Sequence, residues 1–121
     1  MASSESEQRL ETGKRLFREV TGLDPPVGSP TFEASMLPHV FGEIWTRPGL
    51  TRKERRWISL TCAAASGAVI AIEAHVRGAL NSGDITLDEL SEWVLQMAQY
   101  AGWPTAAVLE TTVRKVASEA K

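Results

Sequence analysis

The chain has 121 residues, a formal net charge of −2 and no internal repeat, so we expect one domain over residues 1–121 with a single core. The slightly acidic balance gives no electrostatic case for binding nucleic acid. The longest apolar run, residues 57–72, is interrupted by polar residues and is shorter than the roughly 20 residues of a membrane span, so we expect no membrane partner.

The single cysteine, Cys62, excludes an intramolecular disulfide and fits a reducing compartment. Residues 1–7 are acidic and have no apolar core, which does not resemble a secretory signal. We therefore expect a cytoplasmic protein. We interpret Cys62 itself as a small buried hydrophobe.

Helical signals dominate the first half of the chain. Apolar and small residues recur at helical spacing over residues 6–20, which predicts an amphipathic helix that ends near Gly22. Residues 24–30 contain three prolines and predict a rigid loop. A second helical region is predicted over residues 31–45, with a break or kink near Pro38 because proline lacks the amide proton.

Two capping boxes predict further helix starts. Thr51-Arg-Lys-Glu54 and Thr86-Leu-Asp-Glu89 each place a threonine at the N-cap and a glutamate at the third helical position. The first box predicts a helix from Arg52 to about Ser66, and Gly67 is predicted to mark the junction between this helix and the helix that contains His75. The basic residues at the start of that helix are interpreted as solvated: Arg52, Lys53, Arg55 and Arg56.

The rest of the chain completes a helical pattern. A helix that contains His75 is predicted to stop at Gly83, where glycine suits a helix end. The second capping box opens a helix with an apolar stripe, and Pro104 predicts the first turn of a last helix. We therefore expect an all-α bundle of about six helices.

His75 is the most informative single residue, because it lies on a helix built otherwise of small and aliphatic residues. Residues three and four positions away share a helix face. The neighbours of His75 on that face are Ala71, Ile72, Gly78 and Ala79. Small neighbours leave room for a ligand, so we predict a pocket wall; the alternative is a histidine packed in the core.

Three separated motifs are Phe41-Gly-Glu-Ile-Trp45-Thr-Arg47-Pro-Gly-Leu50, His75-Val-Arg77-Gly-Ala-Leu-Asn81-Ser-Gly83 and Gln99-Tyr100-Ala-Gly-Trp103-Pro-Thr-Ala. In order and spacing they resemble the carboxymuconolactone decarboxylase family, over roughly residues 35–118. The resemblance implies the helical fold of alkylhydroperoxidase-D-like proteins. It also implies a homo-oligomer, expected to be a ring-like hexamer.

The resemblance implies cofactor-independent decarboxylation of 4-carboxymuconolactone to 3-oxoadipate enol-lactone, a carboxy-lyase step in aromatic compound degradation. Loss of carbon dioxide from a carbon conjugated through the ring alkene to the lactone carbonyl leaves a dienolate, so the ring is the electron sink. The protein must then hold the anion, stabilise charge on the lactone oxygen and deliver a proton to carbon. No metal or organic cofactor is required.

The same family resemblance suggests two alternative functions. Alkylhydroperoxidase-D-like proteins carry a Cys-x-x-Cys pair whose positions here are Ala68 and Ala71, so a peroxidase or disulfide reductase is disfavoured. A non-redox small-molecule binding or accessory protein of the same family, acting in another pathway, remains open. Ala71 favours that alternative because the family usually has a polar residue there.

His75 and Glu43 are the catalytic candidates. Histidine suits proton delivery because its pKa lies near neutral pH, and Glu43 is expected to hydrogen-bond to the imidazole and orient it. His39 is a further residue that would approach the same site. Two histidines without a carboxylate cluster are a poor metal signature, so no metal site is expected.

The substrate-binding candidates are Arg47, Trp45, Arg77 and Tyr100. Arginine suits carboxylates because its planar fork donates two parallel hydrogen bonds. Three of these candidates have an alternative interpretation that stays open: Arg47 anchors the turn that follows it, Arg77 pairs with Glu73 four residues earlier, and Tyr100 packs in the core or in an interface.

Overall fold

The computed structural model describes residues 4–25 and 30–119, and over these residues the chain is helical without strands. A π-helical segment, Leu37–Ile44, continues the second helix directly. None of the described helices is long and apolar enough to cross a membrane. The predicted all-α fold is confirmed. The helices are α1 Glu5–Thr21, α2 Pro30–Met36, α3 Arg52–Ser66, α4 Val69–Ser82, α5 Leu87–Ala101 and α6 Trp103–Glu119.

The local signals that predicted helix ends are confirmed. In both capping boxes the threonine hydroxyl accepts the N–H of the glutamate, and the glutamate carboxylate accepts the N–H of the threonine. Glycines in the left-handed region end α1, α3 and α4: Gly22, Gly67 and Gly83. The predicted loop over residues 24–30 lies partly outside the described residues.

The predicted break near Pro38 takes the form of the π-helical segment. The N–H of Trp45 donates to the carbonyl of Val40, five residues earlier, at 3.0 Å. Gly13 lets α1 approach this segment closely, because a Cβ there would overlap the carbonyl oxygen of Leu37. The segment therefore packs along α1 and turns Phe41 and Trp45 into the interior.

Two buried clusters form the interior. One joins α3, α4, α5 and α6, and the other joins α1 to the π-helical segment. Helix α4 contacts both groups, since it packs against α1, α3 and α6. This position places the His75 helix at the junction of the two clusters.

Two interpretations of α3 were wrong. Arg56 is fully buried and not solvated, because it shares the inward face of α3 with Leu60 and Ala63, four and seven residues on. Cys62 is exposed and not a buried hydrophobe. It lies on the outer face of α3 together with Ile58, which is 53% exposed.

Candidate functional site

A cavity of about 730 Å³ opens beside His75, between the end of α1, the α2 region and the start of α4. Its wall is almost wholly apolar, and the described residues give it no carboxylate, lysine or arginine lining. Ala71 and Ala74 leave the space next to the imidazole, so a pocket is present beside His75, but of the four neighbours predicted for it only Ala71 lines it. Ile72, Gly78 and Ala79 lie instead on the buried side of α4.

A second cavity of about 440 Å³ lies between α5 and α6. It is lined mainly by apolar side chains, and its charged groups, Glu110 and Arg114, form a surface ion pair with each other at 3.3 Å. No histidine reaches it. The cavity beside α4 is therefore the better candidate for chemistry.

His75 is enclosed on one side and open to the cavity on the other. Its Nδ1 atom is buried and has no hydrogen-bond partner among the described residues. The imidazole stacks on Trp45, with ring centroids 5.9 Å apart and planes inclined by 10°. Burial, and to a smaller extent the charge of Arg56, together lower the pKa of His75 from 6.5 to about 4. The ring is therefore neutral at neutral pH in the free protein.

Arg56 is the charged residue that the sequence analysis missed. Its Nε donates to Asp84 Oδ2 at 2.8 Å, and its Nη1 donates to the carbonyl of Val20 at 2.7 Å. Its Nη2 is buried without a partner in the described chain. The spacing from Arg56 to Leu60 was the available signal, but the surrounding run of basic residues concealed it.

The first turn of α4 forms one edge of the cavity. Ala68 caps α4 without a side-chain hydrogen bond, and Val69, Ile70 and Ala71 line the cavity. Amide groups in the first turn of a helix lack partners within the helix and carry partial positive charge. This edge can therefore receive a carboxylate or an oxyanion. Ala68 and Ala71, the positions of the cysteine pair in alkylhydroperoxidase-D-like proteins, face the cavity without thiols.

Glu43 and Arg47 lie away from this cavity in the single chain. Glu43 is exposed and binds Arg9 at 2.9 Å and His39 Nδ1 at 3.1 Å, and these hydrogen bonds, that of His39 first, hold the pKa of its carboxyl below the usual value. No hydrogen bond joins Glu43 or His39 to His75 in the described chain. The Arg47 guanidinium is exposed, and the Arg47 carbonyl accepts from Arg55 at 3.1 Å.

The other candidates differ in their relation to His75. Trp45 is buried and touches the imidazole through the stacked rings. Arg77 pairs with Glu73 at 3.5 Å and with Glu119 at 3.1 Å. The alternative interpretation of Arg77, an ion pair with Glu73, is therefore confirmed. Tyr100 is 85% exposed and does not pack in the core of the chain.

The comparisons with known proteins agree with this architecture. The chain is 38% identical over 108 residues to 4-carboxymuconolactone decarboxylase of Acinetobacter baylyi, across 83% of this chain and 80% of that protein. It is 40% identical over 65 residues to nitrosuccinic acid decarboxylase npaB of Metarhizium robertsii, across 54% of this chain and 45% of that protein. The model of the carboxymuconolactone decarboxylase family matches residues 30–112. The chain belongs to the carboxymuconolactone decarboxylase family.

Proposed function

We propose that the protein is a cofactor-independent carboxy-lyase that converts 4-carboxymuconolactone to 3-oxoadipate enol-lactone in the degradation of aromatic compounds. Both relatives are named decarboxylases, which supports a carboxy-lyase acting on a small molecule. The observation that carries the proposal is the position of His75, an enclosed histidine with one side open to a large apolar cavity.

The chemistry of the two compounds in the relatives' names supports this class of reaction. In 4-carboxymuconolactone the carbon that bears the carboxyl group is joined through the ring alkene to the lactone carbonyl, and in nitrosuccinic acid one carbon bears both a carboxyl group and the nitro group. Loss of carbon dioxide leaves a delocalised anion in each case, so the substrate supplies its own electron sink. Apolar walls favour this step, because a spread charge loses less solvation than a localised carboxylate does.

His75 is proposed to supply the proton. The dianionic lactone enters beside a neutral imidazole, and its negative charge raises the affinity of the ring for a proton taken from solvent. The C–C bond to the carboxylate then breaks, carbon dioxide leaves, and the dienolate takes the proton of His75 at ring carbon. The amides of the first α4 turn are proposed to hold a substrate oxygen. One proton is consumed for each carbon dioxide released.

Self-association is a further part of the proposal. Several large apolar side chains are exposed on the single chain: Ile70 (88%), Tyr100 (85%), Phe32 (62%) and Trp103 (61%). Exposed apolar groups of this kind mark association surfaces. We propose a homo-oligomer, a hexamer as the family resemblance implies, acting in the cytoplasm. Roles for Glu43, Arg47, Arg77 and Tyr100 at the site would then require a neighbouring subunit.

A binding or accessory role is the second candidate, because the described cavity wall has no arginine or lysine to hold a dianion. The two functions separate in one experiment. Purified protein is mixed with 4-carboxymuconolactone, and in parallel with nitrosuccinate, while substrate loss, carbon dioxide release and heat of binding are followed. We expect one carbon dioxide for each lactone consumed. Binding without carbon dioxide release would favour the accessory role. Neither binding nor turnover would refute the decarboxylase and leave the accessory role with a different small molecule.

A further inference from the structure

Arg56 is a buried cation that takes no part in the steps of the proposed reaction. Its side chain has 0% exposure, whereas its carboxylate partner Asp84 is 34% exposed. Burying a charge is costly even when the charge is paired. One of its nitrogens, Nη2, has no partner, and an unsatisfied buried donor calls for a specific explanation.

The Arg56 guanidinium lies beside Gly78, on the buried side of α4. Gly78 follows His75 by three residues, about one helical turn. A Cβ on Gly78 would approach Arg56 Nη1 to 3.0 Å and would overlap the carbonyl oxygen of Val20, to which Nη1 is bonded. Phe17 and Thr21, one turn before and one residue after Val20, line the cavity. Arg56 therefore links the end of α1 to the helix that presents His75.

The two ring nitrogens of His75 have different surroundings. Nδ1 is buried without a partner among the described residues, whereas Nε2 is not enclosed in this way, and His75 lines the cavity. A nearby interior cation favours a lone pair over an N–H on the enclosed nitrogen. We infer that Arg56 is a positioning residue that acts through His75: its buried charge, without a hydrogen bond to the ring, favours the neutral imidazole with the lone pair on Nδ1 and the proton on Nε2. The catalytic consequence of this inference depends on the proposed function.

The other charged groups around α4 are engaged elsewhere. Glu73 and Arg77, on α4 itself, pair with Lys115 and Glu119 of α6. On the π-helical segment, His39 and Glu43 are exposed and pair with each other, and Glu43 also binds Arg9 of α1. Asp84 reaches His75 only through Arg56. Among the described residues, Arg56 is the charge that acts on His75, and it lowers the pKa of that ring together with burial.

The test is a nitrogen-15 NMR titration of the free protein, which needs no substrate. The chain has two histidines, so His39→Gln assigns the signal of His75. We expect the Nε2–H tautomer in the wild type. Arg56→Met should raise the titration midpoint of His75 by roughly one pH unit and mix the tautomers. Arg52→Met removes an equal charge from the same helix, at an exposed ion pair with Glu19 of α1. This control should leave the titration midpoint and the tautomer of His75 unchanged.

The double variant Arg56→Met/Asp84→Asn covers the case in which Arg56→Met alone does not fold, because it leaves no unpaired buried charge. It should show the same change at His75. An unchanged midpoint and tautomer in the folded variant would overturn the inference. Because the signal is read without substrate, absence of decarboxylation would refute the proposed function and leave this result standing. If the protein is active, the pH profile of kcat/KM should move with the NMR midpoint.

Discussion

Burial of His75 makes a quantitative prediction about stability in acid. The unfolded ring takes up a proton near pH 6.5, whereas the folded ring takes it up only near pH 4. Between these values the unfolded state binds more protons, so the free energy of unfolding falls as the pH is lowered. When the pH is lowered from about 7 to about 4.5, protonation of His75 alone should lower the free energy of unfolding by roughly 2.5 kcal/mol. That is a large share of the roughly 5–15 kcal/mol that holds a typical domain folded.

The assay is urea unfolding at both pH values for wild type, His75→Gln and the exposed control His39→Gln. Carboxylates titrate in all three proteins, so the difference between variants isolates the histidine. His75→Gln should lose roughly 2.5 kcal/mol less than wild type on acidification, whatever its stability at neutral pH. His39→Gln should follow the wild type. Equal acid losses in wild type and His75→Gln would refute the claim that the ring is held neutral by its surroundings.

Three further substitutions test the packing, the cavity and the thiol. Gly78→Ala should destabilise the protein by about 1–3 kcal/mol or more, because its Cβ would overlap a backbone carbonyl, whereas Gly49→Ala, with open space around it, should change the melting temperature little. Ala71→Leu should lower kcat/KM by about tenfold or more by filling the cavity, whereas Ala65→Leu on the exposed face of α3 should not. Cys62→Ser should leave turnover intact and stability within about 0.5 kcal/mol, because the thiol is exposed; a hundredfold loss of turnover in the folded variant would indicate thiol chemistry.

The helix ends and the cavity could be predicted from the sequence because they depend on local rules. A capping box satisfies its hydrogen bonds within four residues, so Thr51 and Thr86 mark helix starts in any tertiary context. Likewise, a helical spacing of four residues places Ala71 and His75 on one face of α4. Because the side chain of Ala71 is small, this face leaves space beside the imidazole.

The remaining site residues depend on tertiary structure. Glu43 was expected to orient His75, but a two-residue spacing from Trp45 turns Glu43 away from the inward face of Phe41 and Trp45. The burial of Arg56 depends on two distant partners, Asp84 and the carbonyl of Val20, which no local pattern reveals.

The most direct test of the account is the turnover number of His75→Gln with 4-carboxymuconolactone, compared with that of His39→Gln. We expect a fall of roughly a hundred- to ten-thousandfold for His75→Gln, the range for a positioned proton donor, with the fold and the state of assembly unchanged. His39→Gln should remain within about twofold of the wild type, because His39 is exposed and bound to Glu43. A folded His75→Gln protein that decarboxylates the lactone at the wild-type rate would contradict the account.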